Sequence, residues 1–152
     1  MANNIFQTVR WLFGSTGPQI SSSCGAFSRT ANTFADITNL SITITTKGRP
    51  VFIGLIHDGS VNAGYLGLLG ATSGTAAFSC FQILRDSTVI SLNTLASGTN
   101  TGTTPMCRVP VSTVFIIDSV AAGTYTYKVQ CKSDVLNDNT YCDYAKLIAF
   151  EL

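Results

Sequence analysis

The stretch TYTYKVQCKSD, residues 124–134, has the most regular alternation in the chain. Tyr125, Tyr127, Val129 and Cys131 share one side of an extended backbone, and threonine, lysine and glutamine residues occupy the positions between them. Successive side chains of a β-strand point to opposite faces. The pattern therefore predicts an antiparallel strand with one face in a core and the other in water.

The same period of two continues along much of the chain. LSITITT at 40–46 alternates in the same way, and KGRP at 47–50 ends that strand because glycine permits a turn and proline lacks a backbone donor. VFIGLI at 51–56 is apolar without a break, which indicates a strand covered on both faces. AFSCFQILRDSTVISL at 77–92 predicts a hairpin that turns at RDST.

The remaining segments are predicted as further strands or as connections. Strands are predicted at 109–120 and 143–152, and the glycine-rich stretch at 63–76 is interpreted as a loop or a bulged strand. The polar stretches at 93–108 and 135–142 are interpreted as loops. About eight strands without a convincing internal helix are typical of an all-β sandwich or barrel, for which the jelly roll is the natural eight-stranded solution.

Length and charge limit the classes of function. The 152 residues are enough for one domain, and charged residues make up 11% of them with a formal net charge of +1 and no basic run. This argues against binding to nucleic acid or to an anionic membrane surface. No apolar run is long enough to span a bilayer, so we expect a soluble domain without membrane insertion.

The N-terminal stretch differs in character from the rest. Arg10 interrupts its apolar part, so it does not have the pattern of a signal peptide. Residues 3–13 fit a helix or an edge strand equally well. We expect residues 1–22 to be a lead-in segment that could connect to a stalk, and residues 23–152 to be the jelly-roll domain.

Candidate catalytic groups are few. His57 is the single histidine and is followed by Asp58 in the turn-like HDGS, which favours a polar turn residue over a catalytic base. The eight acidic residues include no pair that spacing singles out for glycoside cleavage, and no phosphate-binding glycine motif is present. The sequence predicts a protein that is not an enzyme and holds no cofactor.

Metal and disulfide chemistry have weak support. The five cysteines form no C-x-x-C pair, which argues against zinc and favours small buried hydrophobic residues, with a disulfide between strands left open. DVLNDNTYCD at 134–143 is rich in oxygen ligands but lacks the glycine-centred calcium-loop pattern. We interpret it as a solvated loop and predict no metal site.

The closing stretch YAKLIAFEL, residues 144–152, is apolar on both faces. Leu147 and Ala149 fall on one side, and Ile148, Phe150 and Leu152 fall on the other. The second side either packs within the same subunit or forms an oligomer interface. The interface is favoured because 45% apolar residues with so few charges are hard to bury in a monomer.

Four quoted segments resemble one known superfamily. TNLSITITTKGRPVFIGL, FQILRDSTVIS, SVAAGTYTYKVQCKSD and AKLIAFEL, within about residues 36–152, resemble the head domains of the complement and tumour-necrosis-factor-like superfamily, as at the tips of phage tail fibres and bacterial fibres. The resemblance is a pattern of strands and turns, and implies a jelly roll of about 8–10 strands in a homotrimer. The axial surface it implies consists of Tyr125, Tyr127, Ile148, Phe150 and Leu152.

The expected function is recognition by a trimeric head in a virion tail fibre or an extracellular, cell-surface fibre. A cell-surface glycan or protein receptor would contact the loops at 60–67, 97–105 and 136–144, because binding residues concentrate on loops of a rigid scaffold. The alternative is a purely structural trimerisation or capsid domain with no ligand of its own. The candidate ligand-binding residues are Asn62, Tyr65, Asn100, Asn137, Tyr141 and Tyr144.

Overall fold

Every regular element of the described chain is a β-strand. The computed structural model describes residues 17–60, 67–71, 77–97, 109–110, 115–133 and 139–152. The helix-or-strand alternative at 3–13 therefore lies outside the described residues. The strands are β1 (Gln19–Ile20), β2 (Ala26–Arg29), β3 (Ala35–Lys47), β4 (Val51–His57), β5 (Gly67–Ala71), β6 (Ala77–Arg85), β7 (Thr88–Ser97), β8 (Val109–Pro110), β9 (Phe115–Asp118), β10 (Ala122–Ser133), β11 (Asn139–Asp143) and β12 (Ala145–Glu151).

The described strands form three four-stranded sheets in which all pairs are antiparallel. Sheet I has the order β1-β12-β4-β9, sheet II has the order β3-β10-β6-β7, and sheet III has the order β2-β11-β5-β8. Sheet III repeats the order of sheet I, because each of its strands is the neighbour in sequence of the corresponding strand of sheet I. Sheets I and III are thus two halves of one long sheet divided by a bend.

The topology confirms the predicted jelly roll. When each divided strand is counted once, the described residues form eight strands. The first, eighth, third and sixth form the long sheet, and the second, seventh, fourth and fifth form sheet II. This is the strand order of an antiparallel jelly-roll sandwich.

The bend is made by residues whose backbone leaves the extended conformation. Tyr144, between β11 and β12, has a φ of 50°, and Gly25, between β1 and β2, has a φ of 62°. The Tyr144 N–H donates to the Gly25 carbonyl at 2.8 Å, and the Tyr144 carbonyl accepts from the Asp58 N–H at 2.9 Å. Hydrogen bonding therefore continues through the bend.

The core lies between sheet II and the long sheet formed by sheets I and III, and it follows the alternation of the strands. Leu147 and Ala149 of β12 and Val129 of β10 are fully buried, as the alternation requires. In β3 the alternation breaks at Asn39, which has a φ of 64°. The pairing with β10 shifts register there, so that two residues three apart, Ile37 and Leu40, both enter the core.

Two predicted connections contain strands. Asn139–Asp143 is β11, although 135–142 was predicted as a loop, and β7 continues to Ser97 into the stretch that was predicted as loop from residue 93. The polar composition of β11 is overridden by pairing with β2 on one side and β5 on the other. β1, within the expected lead-in segment, pairs with β12 at Ile20 and Ile148; the domain boundary at residue 23 stays a prediction.

The two ends of the sandwich differ in their connections. At one end, which we name the turn end, the described strands are joined by short turns such as 48–50, 86–87 and 119–121. At the other end, which we name the loop end, β5, β7 and β10 finish and β6, β8 and β11 begin. The segments joining those strands include nearly all of the predicted ligand-binding loop 97–105 and residues 136–138 of the predicted loop 136–144.

Candidate subunit interface

The side of sheet I that faces away from sheet II carries apolar side chains on all four strands. Alternation places these side chains opposite the core residues Val51, Ile53 and Leu147, which are fully buried. We name the set the outer apolar face. It consists of Ile20, Phe52, Ile56, Phe115, Ile117, Ile148, Phe150 and Leu152.

Much of the outer apolar face is open to solvent within one subunit. Phe115 is 57% exposed, Ile20 and Ile117 are each 55% exposed, and Leu152 and Ile56 are 37% and 36% exposed. These five side chains present on the order of 400 Å² of apolar surface if a large side chain offers about 200 Å². This is the size of the largest apolar patch on a typical soluble monomer, and such patches are often functional.

Three phenylalanine rings form a row across this face. The ring centroids of Phe52 and Phe150 are 4.9 Å apart, and those of Phe52 and Phe115 are 5.9 Å apart, both pairs stacked. The Phe52 ring lies across Gly54, where a Cβ atom would come within 2.9 Å of Phe52 Cε1. The absence of a side chain at Gly54 thus lets the row close over the middle of sheet I.

The outward face of sheet II has the opposite chemistry on β3 and β10. The hydroxyls of Thr43 and Thr126 are hydrogen bonded at 2.9 Å, as are those of Thr45 and Thr124. Further along, Asp36 accepts from Lys128 Nζ at 3.2 Å and from Gln130 Nε2 at 2.6 Å. Desolvation opposes ionisation of Asp36, but these hydrogen bonds outweigh it and hold its pKa below the usual range. We name this surface the polar face.

The structure places the five predicted interface residues in two different environments. Ile148, Phe150 and Leu152 belong to the outer apolar face. Tyr127 is fully buried between the sheets, and Tyr125 packs against the core cluster on the same side of β10. As a correction to the expectation from sequence, the tyrosines face inward, so we restrict the candidate interface to the outer apolar face.

The inward direction of Tyr127 is fixed by a polar network. Its hydroxyl donates to Asp118 Oδ2 at 2.9 Å, and Arg85 forms an ion pair with Asp118 at 2.9 Å. Desolvation, followed by the hydrogen bond and charge of Asp118, raises the pKa of Tyr127. The Arg85 guanidinium also lies 5.7 Å from the centre of the Tyr125 ring. The network joins β6, β9 and β10 near the turn end.

The residues that β1, β4 and β9 add to the outer apolar face were not among the interface residues predicted from the sequence. The signal was present in VFIGLI, whose unbroken apolar run indicated cover on both faces, and in the FII run at 115–117. The sequence did not predict the strand pairing that places these apolar runs in the same sheet as β12. The register aligns Phe150 with Phe52 and Phe52 with Ile117 in one row across the sheet.

Of the predicted ligand-binding residues, the described chain includes Tyr141 and Tyr144. Tyr141 is half-buried in β11, between β2 and β5, and Tyr144 is half-buried at the bend. The other predicted residues, Asn62, Tyr65, Asn100 and Asn137, lie outside the described residues.

A buried carboxylate anchors the β3–β4 turn beneath the end of β12. Glu151 is fully buried, and its Oε1 atom accepts from Thr46 Oγ1 at 2.6 Å and from the backbone N–H groups of Lys47 at 2.8 Å and Arg49 at 3.1 Å. Desolvation opposes its ionisation, but these hydrogen bonds outweigh that effect and keep its pKa below the usual range. Glu151 therefore fixes the strand that carries Phe150 and Leu152.

The histidine and its neighbour make turn contacts. His57 Nδ1 accepts from the Gly59 N–H at 2.9 Å. Asp58 accepts from Ser23 Oγ at 2.6 Å and from the Ser60 N–H at 2.7 Å, and these two bonds lower its pKa. Within the described ranges, no group of three or more histidine, cysteine or acidic residues could hold a metal ion. No helix among the same residues is long and apolar enough to cross a membrane.

Two solved structures are distantly similar to this chain. No family model matches the chain, and no curated protein matches it. A chain of the T13 particle of infectious bursal disease virus is 12% identical with a TM-score of 0.44, over 88% of this chain and 35% of the viral one. VP2 in a subviral particle of the same virus is 13% identical with a TM-score of 0.38, over 90% of this chain and 37% of that protein. This chain thus spans about a third of each of these proteins, and these values do not define its family.

Proposed function

We propose that the chain is a non-enzymatic head domain of a virion or extracellular fibre, and that three copies associate through the outer apolar face. The single observation that carries this proposal is the outer apolar face itself. An exposed row of phenylalanine and isoleucine side chains on a regular sheet is stabilised when a partner removes it from water, at roughly 25 cal/mol per Å².

The trimer is the assembly favoured by the resemblance to complement and tumour-necrosis-factor-like heads. The jelly-roll order and the position of Ile148, Phe150 and Leu152 on an exposed sheet face both agree with that resemblance. The polar face, in contrast, already satisfies its hydroxyl and carboxylate groups within one subunit. We therefore assign the outer apolar face to the subunit contacts and the polar face to the solvent.

The loop end is the proposed receptor surface. Tyr141 lies in β11, which begins at that end, and the predicted loop 97–105 and residues 136–138 adjoin the described strand ends there in sequence. A glycan or protein receptor would be bound by tyrosine rings and asparagine amides, and threefold repetition would raise the avidity of weak sites. Binding of the purified chain to a glycan array tests this part of the proposal, with Tyr141→Ala as the variant expected to weaken it.

Assembly is tested by the mass in solution of the wild type and two matched variants. Ile117→Asp places a charge on the outer apolar face at a 55% exposed position in an edge strand of sheet I. Ser41→Asp places the same charge at an exposed position in an edge strand of sheet II. Light scattering should give about three times the 16.1 kDa chain mass for the wild type and Ser41→Asp, and one times for Ile117→Asp.

A folded wild-type monomer at micromolar concentration would contradict the assembly, and equal masses for both variants would contradict the assignment of the face. A trimer without binding on glycan or cell-surface arrays would instead favour the second candidate, a purely structural trimerisation or capsid domain. The hydroxyl-rich polar face favours that candidate because it offers few charged groups for specific recognition.

A further inference from the structure

Two thiols meet inside the protein at the bend between sheets I and III. Cys24 lies in the connection between β1 and β2, and Cys142 lies in β11. Their Sγ atoms are 3.2 Å apart although the residues are 118 positions apart in sequence. Cys24 is 8% exposed and Cys142 is fully buried, and neither forms a disulfide in this structure.

The backbone around the two thiols is tied together on both sides of the contact. The Cys24 N–H donates to the Ala145 carbonyl at 3.0 Å, and the Tyr144 N–H donates to the Gly25 carbonyl at 2.8 Å. Cys142 itself pairs with Phe27 across β2 and β11. A disulfide needs the sulfur atoms to approach to about 2.05 Å. The two sulfur atoms, 3.2 Å apart, are therefore about 1.2 Å further apart than in a disulfide.

We propose that Cys24 and Cys142 are a redox-active pair that a small-molecule disulfide, such as oxidised glutathione, converts into an intramolecular disulfide across the bend. The hydrogen bonds at the site shift the pKa values of the two thiols in opposite directions. The two thiols are hydrogen bonded to each other, and the Ala145 N–H donates to Cys24 Sγ at 3.4 Å; these bonds lower the pKa of Cys24 against the effect of burial. The same hydrogen bond, together with burial, raises the pKa of Cys142. Cys24 is therefore the attacking thiol and Cys142 the resolving thiol.

The exchange balances in two steps. The Cys24 thiolate attacks one sulfur of oxidised glutathione, a mixed disulfide forms, and one glutathione leaves as a thiolate. Cys142 gives its proton to that thiolate, and its own thiolate attacks the Cys24 sulfur and releases the second glutathione. The two protein thiols lose two electrons, and one oxidised glutathione is reduced to two thiols with the protons that the cysteines have lost.

The neighbouring Cys131 provides a matched control. It is fully buried in β10 and belongs to the same core cluster as Cys24 and Cys142. Burial raises the pKa of its thiol to about 12, so it carries almost no thiolate at neutral pH. A Cys131→Ser variant changes a buried sulfur in the same region without removing either member of the pair.

The experiment is peptide mapping of the folded chain after incubation with oxidised glutathione. Free thiols are blocked with N-ethylmaleimide, the chain is digested without reductant, and the peptides are identified by mass spectrometry. The expected product is one cross-linked peptide pair that joins Cys24 to Cys142 and separates on treatment with dithiothreitol. The oxidised chain should also melt on the order of 10 °C higher, because the bond closes a long loop of the unfolded chain.

The variants decide between this pair and nonspecific oxidation. Cys24→Ser and Cys142→Ser should lose the cross-link and the rise in melting temperature, and Cys131→Ser should keep both. A wild-type map without the Cys24–Cys142 peptide, or with Cys131 joined to either of them, would overturn the proposal. The wild-type map decides even if a variant fails to fold, because it needs no substitution.

Discussion

On the polar face of sheet II, hydroxyl and amide side chains of β3 and β10 hydrogen bond to one another, whereas the corresponding positions of sheet I hold isoleucine and phenylalanine. The hydroxyls of Thr43 and Thr126, for example, are hydrogen bonded to each other within one chain. Phe115 and Ile117, at 57% and 55% exposure, have only part of their surface covered. The polar face satisfies its hydroxyl and carboxylate groups within one chain, whereas the outer apolar face leaves large apolar side chains exposed to solvent.

The contrast weakens at the edge of sheet II. Val89 and Leu92 of β7 are 48% and 60% exposed. They stand on one edge strand, however, and single exposed apolar residues are ordinary on a monomer. The outer apolar face instead extends over all four strands of sheet I, with stacked rings at its centre. The extent of the patch distinguishes the two sheets.

The largest effect is expected from Phe52→Ala, which removes the middle ring of the aromatic row. Loss of the stacking with Phe150 and Phe115 should lower the free energy of unfolding by about 3 kcal/mol. If the outer apolar face forms the proposed subunit contacts, the melting temperature of this variant should fall further as the protein is diluted. Calorimetry at two protein concentrations checks this, with Phe52→Leu as an apolar control. An unchanged mass and melting temperature in Phe52→Ala would show that the row of phenylalanine rings does not contribute to the proposed interface.

The next largest loss of stability is expected from a substitution on the inward side of β12. Glu151→Gln keeps the shape of the side chain but removes the charge that accepts three hydrogen bonds from Thr46, Lys47 and Arg49. We expect the free energy of unfolding to fall by about 2 kcal/mol at pH 7. The mass of the assembly should stay the same, since the carboxylate faces the core.

The pH dependence of this variant has a definite sign. The folded-state pKa of Glu151 is lowered, so its stabilising contribution is present above the unfolded value of about 4.3 and is lost as the pH falls through the lower folded value. Urea unfolding should show a difference between the wild type and Glu151→Gln at pH 7 that shrinks toward pH 3. A difference that is constant with pH would show that Glu151 is not ionised in the fold.

A smaller effect is expected at the glycine beneath the row. In Gly54→Ala the new Cβ would lie 2.9 Å from Phe52 Cε1 and 3.1 Å from Cζ, so the ring must shift. The ring is the outer part of a side chain, and we expect a loss of about 1 kcal/mol in stability with a weaker assembly. Sedimentation velocity measures the assembly constant. A tighter assembly in the variant would show that Phe52 does not need to lie across Gly54.

Alternation in the sequence was enough to predict the strands that carry most of the core. The spacing in LSITITT and TYTYKVQCKSD gave the two sides of β3 and β10, and RDST gave the β6–β7 turn, where Asp86 has a φ of 53°. Those features depend on residues close in sequence. The same alternation placed Tyr125 and Tyr127 on one face of the predicted strand, but it did not determine whether that face packs in the core or against another subunit.

Pairing between distant segments explains the rest of the differences. NTYCD looked like part of a polar loop, but β2 and β5 pair with it from both sides and make it a strand, whose alternation places the fully buried Thr140 and Cys142 on one face. The outer apolar face arises in the same way, from register among four strands that are far apart in sequence. Local composition does not contain this information.

The smallest effect is expected from substitutions on the polar face. They test whether that face, unlike the outer apolar face, is uninvolved in assembly. Thr43→Val combined with Thr126→Val replaces a hydrogen-bonded hydroxyl pair with two apolar side chains of similar shape. Removal of both partners leaves no buried group unsatisfied, and valine favours strands, so the change in stability should stay within about 0.5 kcal/mol. Light scattering should give the same mass as the wild type, because two methyl groups do not equal the area of the outer apolar face. A change in the mass of the assembly in this double variant would contradict the assignment of the interface. It would show that the extent of exposed apolar surface does not determine which face forms the subunit contacts.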